Sequence, residues 1–132
     1  MTEIADLNFP EDLRYTDNHV WLRMGTGTAR VGITDYAQDQ LGEIVFIDLP
    51  EVEDQFAGGE AFGGAESLKS VSDLYMPVSG QVINVNHQLE AAPTLVNAQP
   101  YGDGWIIEIR LENPAELDAL MTSEGYLKFI QE

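Results

Sequence analysis

The 132-residue chain is 44% hydrophobic and 22% charged, enough to fill one compact core and too short for two ordinary domains. Its 23 Asp and Glu against 6 Lys and Arg leave a net charge of −17, which repels phosphate backbones and anionic membrane surfaces and argues against nucleic acid or membrane as a partner. With no cysteine there is no disulfide, thiolate metal site or cysteine nucleophile, so any redox chemistry must come from a borrowed group.

No run approaches the roughly 18 consecutive apolar residues of a membrane-spanning helix. The start, Met1-Thr2-Glu3-Ile4-Ala5-Asp6, is acidic where an export or transit peptide would be basic, so a cytoplasmic protein is expected. The acidity suits basic docking surfaces and a saline habitat equally well, and by itself names no partner.

Residues 1–12 read as a loosely held N-terminal arm, followed by a single domain over 13–132. Tyr15 to Arg23 and Thr28 to Ile33 are rich in aromatic and β-branched residues and flank Gly25-Thr26-Gly27, which predicts a hairpin. Thr34 to Gly42 predicts one or two helical turns, with Thr34 as cap and Gly42 as stop. Glu43 to Leu49 reads as a strand ended by Pro50, and the acidic run Glu51 to Gly59 as a solvated turn. Glu60 to Tyr75 places Lys69 between two strand-like runs, with Ser67, Ser70, Ser72 and Asp73 favouring a tight turn around it. After the turn Met76 to Gly80, the alternation of Gln81 to Asn86 predicts another strand. Pro93 to Gly104 reads as a connection and Trp105 to Leu111 as a buried strand. From about residue 113 the chain turns helical: Asn113-Pro114-Ala115-Glu116 opens a helix through Met121, and Ser123 caps a second to Ile130. Close-spaced strands with a helical tail predict a mainly β fold, a sandwich or barrel with peripheral helices.

Little in this inventory supports catalysis. His19 and His87 belong to no motif, and acidic pairs such as Glu51 with Glu53 or Glu116 with Asp118 are expected by chance in so acidic a chain. Gly58-Gly59 and Gly63-Gly64 lack the spacing of a nucleotide-binding loop and suit tight turns instead. Only two lysines are present, Lys69 and Lys128. A lysine on a rigid turn is what a carrier of a covalent prosthetic group needs, an amine on a long stem that several enzymes can reach, although an ordinary solvated lysine has the same local sequence.

The run Glu66-Ser67-Leu68-Lys69-Ser70-Val71-Ser72-Asp73-Leu74-Tyr75-Met76-Pro77-Val78-Ser79-Gly80 resembles the lipoylation motif of glycine-cleavage H proteins, with Lys69 on the modified lysine. The similarity continues through Val31 to Gln38, Leu41-Gly42, Leu49 to Val52, Leu95-Val96-Asn97 and Pro100 to Trp105, about residues 13 to 130 in all. The resemblance implies a barrel-sandwich hybrid of two antiparallel sheets and a non-enzymatic carrier with lipoic acid in amide linkage on Lys69. It also implies a lipoate-protein ligase or lipoyl transferase as attaching enzyme, dihydrolipoamide dehydrogenase as a partner, and roles for Glu66 and Asp73 in ligase recognition or in the cleft that shelters the arm. A biotin carrier shares the fold, but Lys69 stands between Leu68 and Ser70 where that family has methionines.

The departures bear on the pathway. H proteins carry a His-Glu-Trp motif whose carboxylate lines the cargo cleft, and here it is His19-Val20-Trp21. With His19 and Val20 taken as cleft residues, a cationic aminomethyl cargo loses a charged hydrogen bond of about 1.5 to 3 kcal/mol. Leu68, Val71, Met76 and Glu53, the last in place of a glycine, are milder departures. Val20 makes the sequence similar also to the H-protein-like lipoate-binding proteins that serve a heterodisulfide-reductase-like complex in sulfur oxidation. That pathway is the leading expectation, and the alternative is an H protein moving the aminomethyl group between glycine decarboxylase, aminomethyltransferase and dihydrolipoamide dehydrogenase.

Overall fold

In the computed structural model, which describes residues 3–131, strand alternation sends Val20 and Leu22 to one face and Trp21 to the other. Residues 1 and 2 of the expected arm and residue 132 lie outside the described part. Strand β2 (Val20–Met24) pairs antiparallel with β3 (Thr28–Ile33), Trp21 opposite Gly32 and Leu22 opposite Val31. The single strand expected over Tyr15 to Arg23 is broken in two. Thr16 Oγ1 accepts the Asn18 and Val20 N–H groups, and His19 takes a φ of 65°, so the chain reverses and β1 (Arg14–Tyr15) folds back on β2 with Tyr15 opposite Trp21.

Two antiparallel sheets result, as expected of the fold. The first runs β1-β2-β3-β9-β8-β5, where β5 is Gln55–Phe56, β8 Gly80–Val85 and β9 Ile107–Leu111. The second has β6 (Ala61–Ser67) between β4 (Ile44–Asp48) and β7 (Val71–Tyr75). Val20, Leu22, Val31, Val82 and Ile109 of the first meet Ile44, Ile47, Phe62, Ala65 and Leu74 of the second in one apolar core. At about 25 cal/mol per Å² of apolar surface removed from water, this contact is the main force joining the sheets.

Helix α1 (Asp35–Leu41) is capped as predicted, Thr34 Oγ1 accepting the Ala37 N–H and Gly42 closing it at a φ of 83°. Elsewhere the chain is more ordered than its local sequence suggests. The acidic run Glu51 to Gly59 contains β5, because Glu53 and Asp54 exchange backbone hydrogen bonds with Val82 and partly buried Phe56 packs on the core. Short helices α2 (Gln88–Ala91) and α3 (Leu95–Ala98) precede β9, and α3 lies within the stretch expected as a plain connection. β9 begins at Ile107, two residues after the predicted start. The helix predicted after Asn113 is a 3-10 turn, Pro114–Ala119, capped by Asn113 as expected. Helix α4 (Ser123–Gln131) is capped by Thr122, whose Oγ1 accepts the Gly125 N–H, in place of Ser123.

The outer face of β1 and β2 is also buried. Leu13, Tyr15, Trp21 and Tyr126 form a second cluster with Phe9, Trp105 and Ile130 against them. The segment expected as a loose arm is fastened here, the Tyr15 hydroxyl donating to the Pro10 carbonyl, the Tyr101 hydroxyl to the Asn8 carbonyl, and the Asn8 N–H to Asp35.

Two backbone positions have opposite expected effects on stability. A Cβ on Gly32 would lie 2.7 Å from the ring of Trp21, which is fully buried and donates its indole N–H to the Pro100 carbonyl. Gly32→Ala is expected to cost about 1 to 3 kcal/mol by overpacking. Glu53 holds a φ of 84°, so Glu53→Gly is expected to stabilise by about 1 kcal/mol by relieving a left-handed residue. Denaturant midpoints of the two variants check both signs.

Candidate functional site

The β6–β7 hairpin turns through Leu68, Lys69 and Ser70. The Ser67 N–H donates to the Ser70 carbonyl at 2.8 Å, and the Ser67 hydroxyl oxygen accepts the Lys69 and Ser70 N–H groups at 3.3 and 3.1 Å. One small side chain thereby replaces water on two backbone donors, which is how serine stiffens a tight turn. Leu68 is 80% exposed and Val71 71%, so the tip stands clear of the body. Lys69, at its apex, makes no ion pair among the described residues. Lys128, the other lysine, is exposed on α4 among surface side chains and has no such mounting.

The second sheet fixes what surrounds the tip. Residues directly opposite across strands share a face, and the register sets Phe46, Glu66 and Val71 in one row, with Asp48, Gly64 and Asp73 in the next alternate row of that outer face. The bulge at Val45 and the exposure of Phe46 and Val71 give this face an apolar strip with carboxylates set into it. Glu66 stands on the middle strand within that strip. Asp73 stands on the edge strand β7 and borders a groove of about 310 Å³ together with Asn18, His19 and Tyr36. The structure thus sets Asp73 and His19 on one groove and Glu66 apart from them, on the sheet face.

Val20 does not border that groove. It is 1% exposed and packs in the core with Ile33 as its cross-strand neighbour, because alternation along β2 sends Val20 and Leu22 inward. Its side chain faces the core in this chain, and the assignment of Val20 as a cleft residue is corrected accordingly. The argument that drew a sulfur cargo from a missing carboxylate there loses its footing.

His19 is oriented from below by residues that its sequence neighbourhood does not suggest. Its Nδ1 lies 2.7 Å from the Tyr126 hydroxyl, which lies 2.8 Å from Thr34 Oγ1. Thr34 is fully buried, and among the described residues the Tyr126 oxygen is the one acceptor within reach of its hydroxyl proton, so Thr34 donates to Tyr126 and the Tyr126 proton goes to Nδ1. That chain satisfies every group only when the ring is neutral with its proton on Nε2. Burial is the larger influence and lowers the His19 pKa below the usual histidine value, with Asp17 opposing. Burial likewise raises the Tyr126 phenol well above its usual value, keeping it a donor. The separation of 107 positions between His19 and Tyr126 explains why no local pattern reveals the pair.

Asn97 is a second residue to which the sequence assigned no role. From α3 its amide nitrogen donates to Gln38 and to the Gly42 carbonyl, while its oxygen accepts the Ile44 N–H. It ties the end of α1 to the start of β4, and Ile44 lies opposite Ser67, so this tie sets what stands beside the Lys69 turn. Among the described residues there is no cluster of three metal-ligating side chains.

Two antiparallel sheets sandwiching one core, with a lysine at a stiffened hairpin tip, define a barrel-sandwich fold of the lipoyl-domain type. Residues 13–132 match the family model described as glycine cleavage H-protein. The chain is 50% identical over 126 residues to the glycine cleavage system H protein of Halothermothrix orenii, covering 96% of this chain and 98% of that one. Against the H protein of Symbiobacterium thermophilum it is 50% identical over 125 residues, covering 95% and 98%. The crystal structure of the glycine cleavage system H protein from Mycobacterium marinum superposes with a TM-score of 0.85 at 36% identity, covering 93% of this chain and 99% of that one. The chain belongs to the glycine cleavage H-protein family. These relatives carry the glycine-cleavage name, and none of these similarities supports the sulfur-oxidation expectation.

The histidine network has a measurable signature. Because the folded pKa of His19 lies below the unfolded value of about 6.5, the unfolded chain binds the extra proton first. Stability should be full above pH 6.5 and fall as pH drops below it toward the folded pKa. In His19→Asn, which tolerates the left-handed backbone, this decline between pH 7 and 5.5 is expected to flatten in denaturant titrations. An unchanged slope would remove His19 as its source.

Proposed function

We propose that this chain is the H protein of a glycine cleavage system, a non-enzymatic carrier with lipoic acid in amide linkage on Lys69. In that role it takes an aminomethyl group from glycine decarboxylase to an aminomethyltransferase and passes electrons to dihydrolipoamide dehydrogenase. The observation that carries the reading is Lys69 itself, exposed and without an ion pair among the described residues, on a turn locked by Ser67, in a chain whose family match spans residues 13–132.

The residues present fit the group. The Lys69 amine makes no ion pair among the described residues, the turn is narrow and built around small residues that an attaching ligase or lipoyl transferase can grip, and Leu68 and Val71 beside it are exposed. When bound, lipoate supplies the redox-active sulfurs that a chain without cysteine lacks. Acylation takes the formal charge from −17 to −18 and leaves a neutral stem.

The chain's own part is to hold and to shelter. The two sheets hold the hairpin rigid, so the stem of Lys69 is the moving part, and a tethered reactant meets each partner at high effective concentration. The groove at His19 and Asp73 offers a carboxylate at its rim and an Nε2–H held by the Tyr126 and Thr34 relay, groups suited to a small polar cargo. The strip of Phe46, Val71 and Leu68 beside Glu66 and Asp73 gives partners apolar contact close to the tip, and the net negative charge steers basic surfaces toward it.

Coexpression with a lipoate ligase should shift the intact mass by one lipoyl group, and Lys69→Arg should abolish the shift without changing the fold. The lipoylated protein should then load when incubated with glycine decarboxylase and glycine. A shifted mass in Lys69→Arg would overturn the attachment site, and lipoylated protein that fails to load would overturn the glycine-cleavage assignment.

A further inference from the structure

Three of the six basic side chains, Arg23, Arg30 and Arg110, stand together on one face of a chain that carries 23 Asp and Glu. Alternation puts them there. Leu22 of β2, Ala29 and Val31 of β3, and Ile107 and Ile109 of β9 turn into the core, so Arg23, Arg30, Glu108 and Arg110 turn outward from the first sheet. The register sets Arg23 directly opposite Arg30, with Glu108 and Asn84 continuing that row, and Thr28, Arg110 and Gln81 in the next alternate row. Glu108 is the one carboxylate in these two rows. The outer face of the second sheet has Asp48, Glu66 and Asp73 in its two rows and no arginine.

Like charges directly opposite across a strand pair repel, so the Arg23–Arg30 pair costs stability that an acidic residue at either position would avoid. The guanidinium groups are mounted on aromatic rings more than they are neutralised. Arg30 lies over the Trp105 ring at 4.6 Å and Arg23 over Trp21 at 5.5 Å, an arrangement that leaves N–H edges open to a planar acceptor. Arg23 also donates to the Tyr101 carbonyl, with its Nε 3.9 Å from the exposed carboxylate of Asp12, and Arg110 reaches the Gln81 side chain at 3.4 Å. Among the described residues no carboxylate pairs with Arg30 or Arg110.

We propose that this face docks an acidic peptide segment of a partner protein, whose carboxylates are received by Arg30 and Arg110 with Arg23 beside them. The fixed fork of arginine matches a carboxylate through two hydrogen bonds, and a guanidinium already held over a tryptophan loses less freedom on binding. A short segment suits the face better than a larger anion. The net charge of −17 repels a nucleic-acid backbone, or a second copy of this chain, as a whole. A few carboxylates set directly on the arginines act inside the roughly 8 Å over which charge is felt at physiological salt. The face lies outside the first sheet, so a partner held here leaves the outer face of the second sheet open. The two sides of the sandwich thus meet partner surfaces of opposite charge.

The test titrates the full chain, labelled with ¹⁵N, with a capped peptide of alternating Glu and Gly, beside a counterpart of Gln and Gly. The unmodified chain serves, since no part of the face involves Lys69. Amide shifts are expected on β2, β3 and β9 around Arg23, Arg30 and Arg110, and from the Glu peptide alone. Arg110→Gln, which gives up one long hydrogen bond within the chain, should weaken binding several-fold with the fold intact. Adding Arg30→Gln should bring the loss to about tenfold or more. Arg14→Gln, an exposed position of β1 outside these rows, should bind as the parent does. Shifts absent from this face, equal shifts from the Gln peptide, or an equal loss in Arg14→Gln would overturn the assignment. So would tighter binding of oligouridylate than of the Glu peptide, or self-association in sedimentation that Arg30→Gln abolishes, since each names a different occupant.

Discussion

Three groups meet on the amide of Asn97: the Gly42 carbonyl at the end of α1, the Ile44 N–H at the start of β4, where Ile44 is fully buried, and the Gln38 side chain. A buried donor or acceptor left without a partner costs on the order of 1 to 3 kcal/mol, so the joint between helix and sheet is strongly specified. From it the second sheet takes its position. Ile44 pairs with Ser67, Ser67 locks the turn, and the turn presents Lys69 beside Gly42. The geometry around Lys69 is thus set from Asn97, some thirty residues away in sequence.

The division of labour between the two apolar clusters follows from the alternation of β2. Val20 and Leu22 point into the space between the sheets, and Trp21 points out, where Tyr15, Tyr126 and the residues before β1 cover it. This outer cluster brings the Tyr126 hydroxyl up against His19 and Thr34. Helix α4, remote from the hairpin in sequence, thereby fixes the tautomer of a groove residue. The polar side of the site is held by the outer cluster and the lysine side by the inner core.

A carrier has a particular need for such rigidity. Its prosthetic group must be mobile, and its mount must not be, since each partner has to find the same stem at the same tip. Here Lys69, which makes no ion pair among the described residues, stands on a turn whose donors are satisfied internally, in a chain with 23 Asp and Glu against 6 Lys and Arg. Apolar contacts next to the tip and long-range negative charge around it act on different scales, the first on hold and the second on approach.

The sequence by itself determined the mainly β class, the first hairpin, the Thr34 cap, the Gly42 stop and the place of Lys69 on a turn, because each of these depends on residues within a few positions of one another. The family resemblance on the motif around Lys69 came from the same kind of local run. Only the tertiary structure decided that Val20 belongs to the core, since β alternation fixes which two faces a strand presents but not which of them meets a cleft. It alone disclosed β5 in the acidic run, where pairing to β8 overrides a polar composition. The union of His19 with Tyr126 and of Asn97 with Gly42 and Ile44 also needed the fold, for these partners are brought together by packing of distant elements, and no local spacing encodes that.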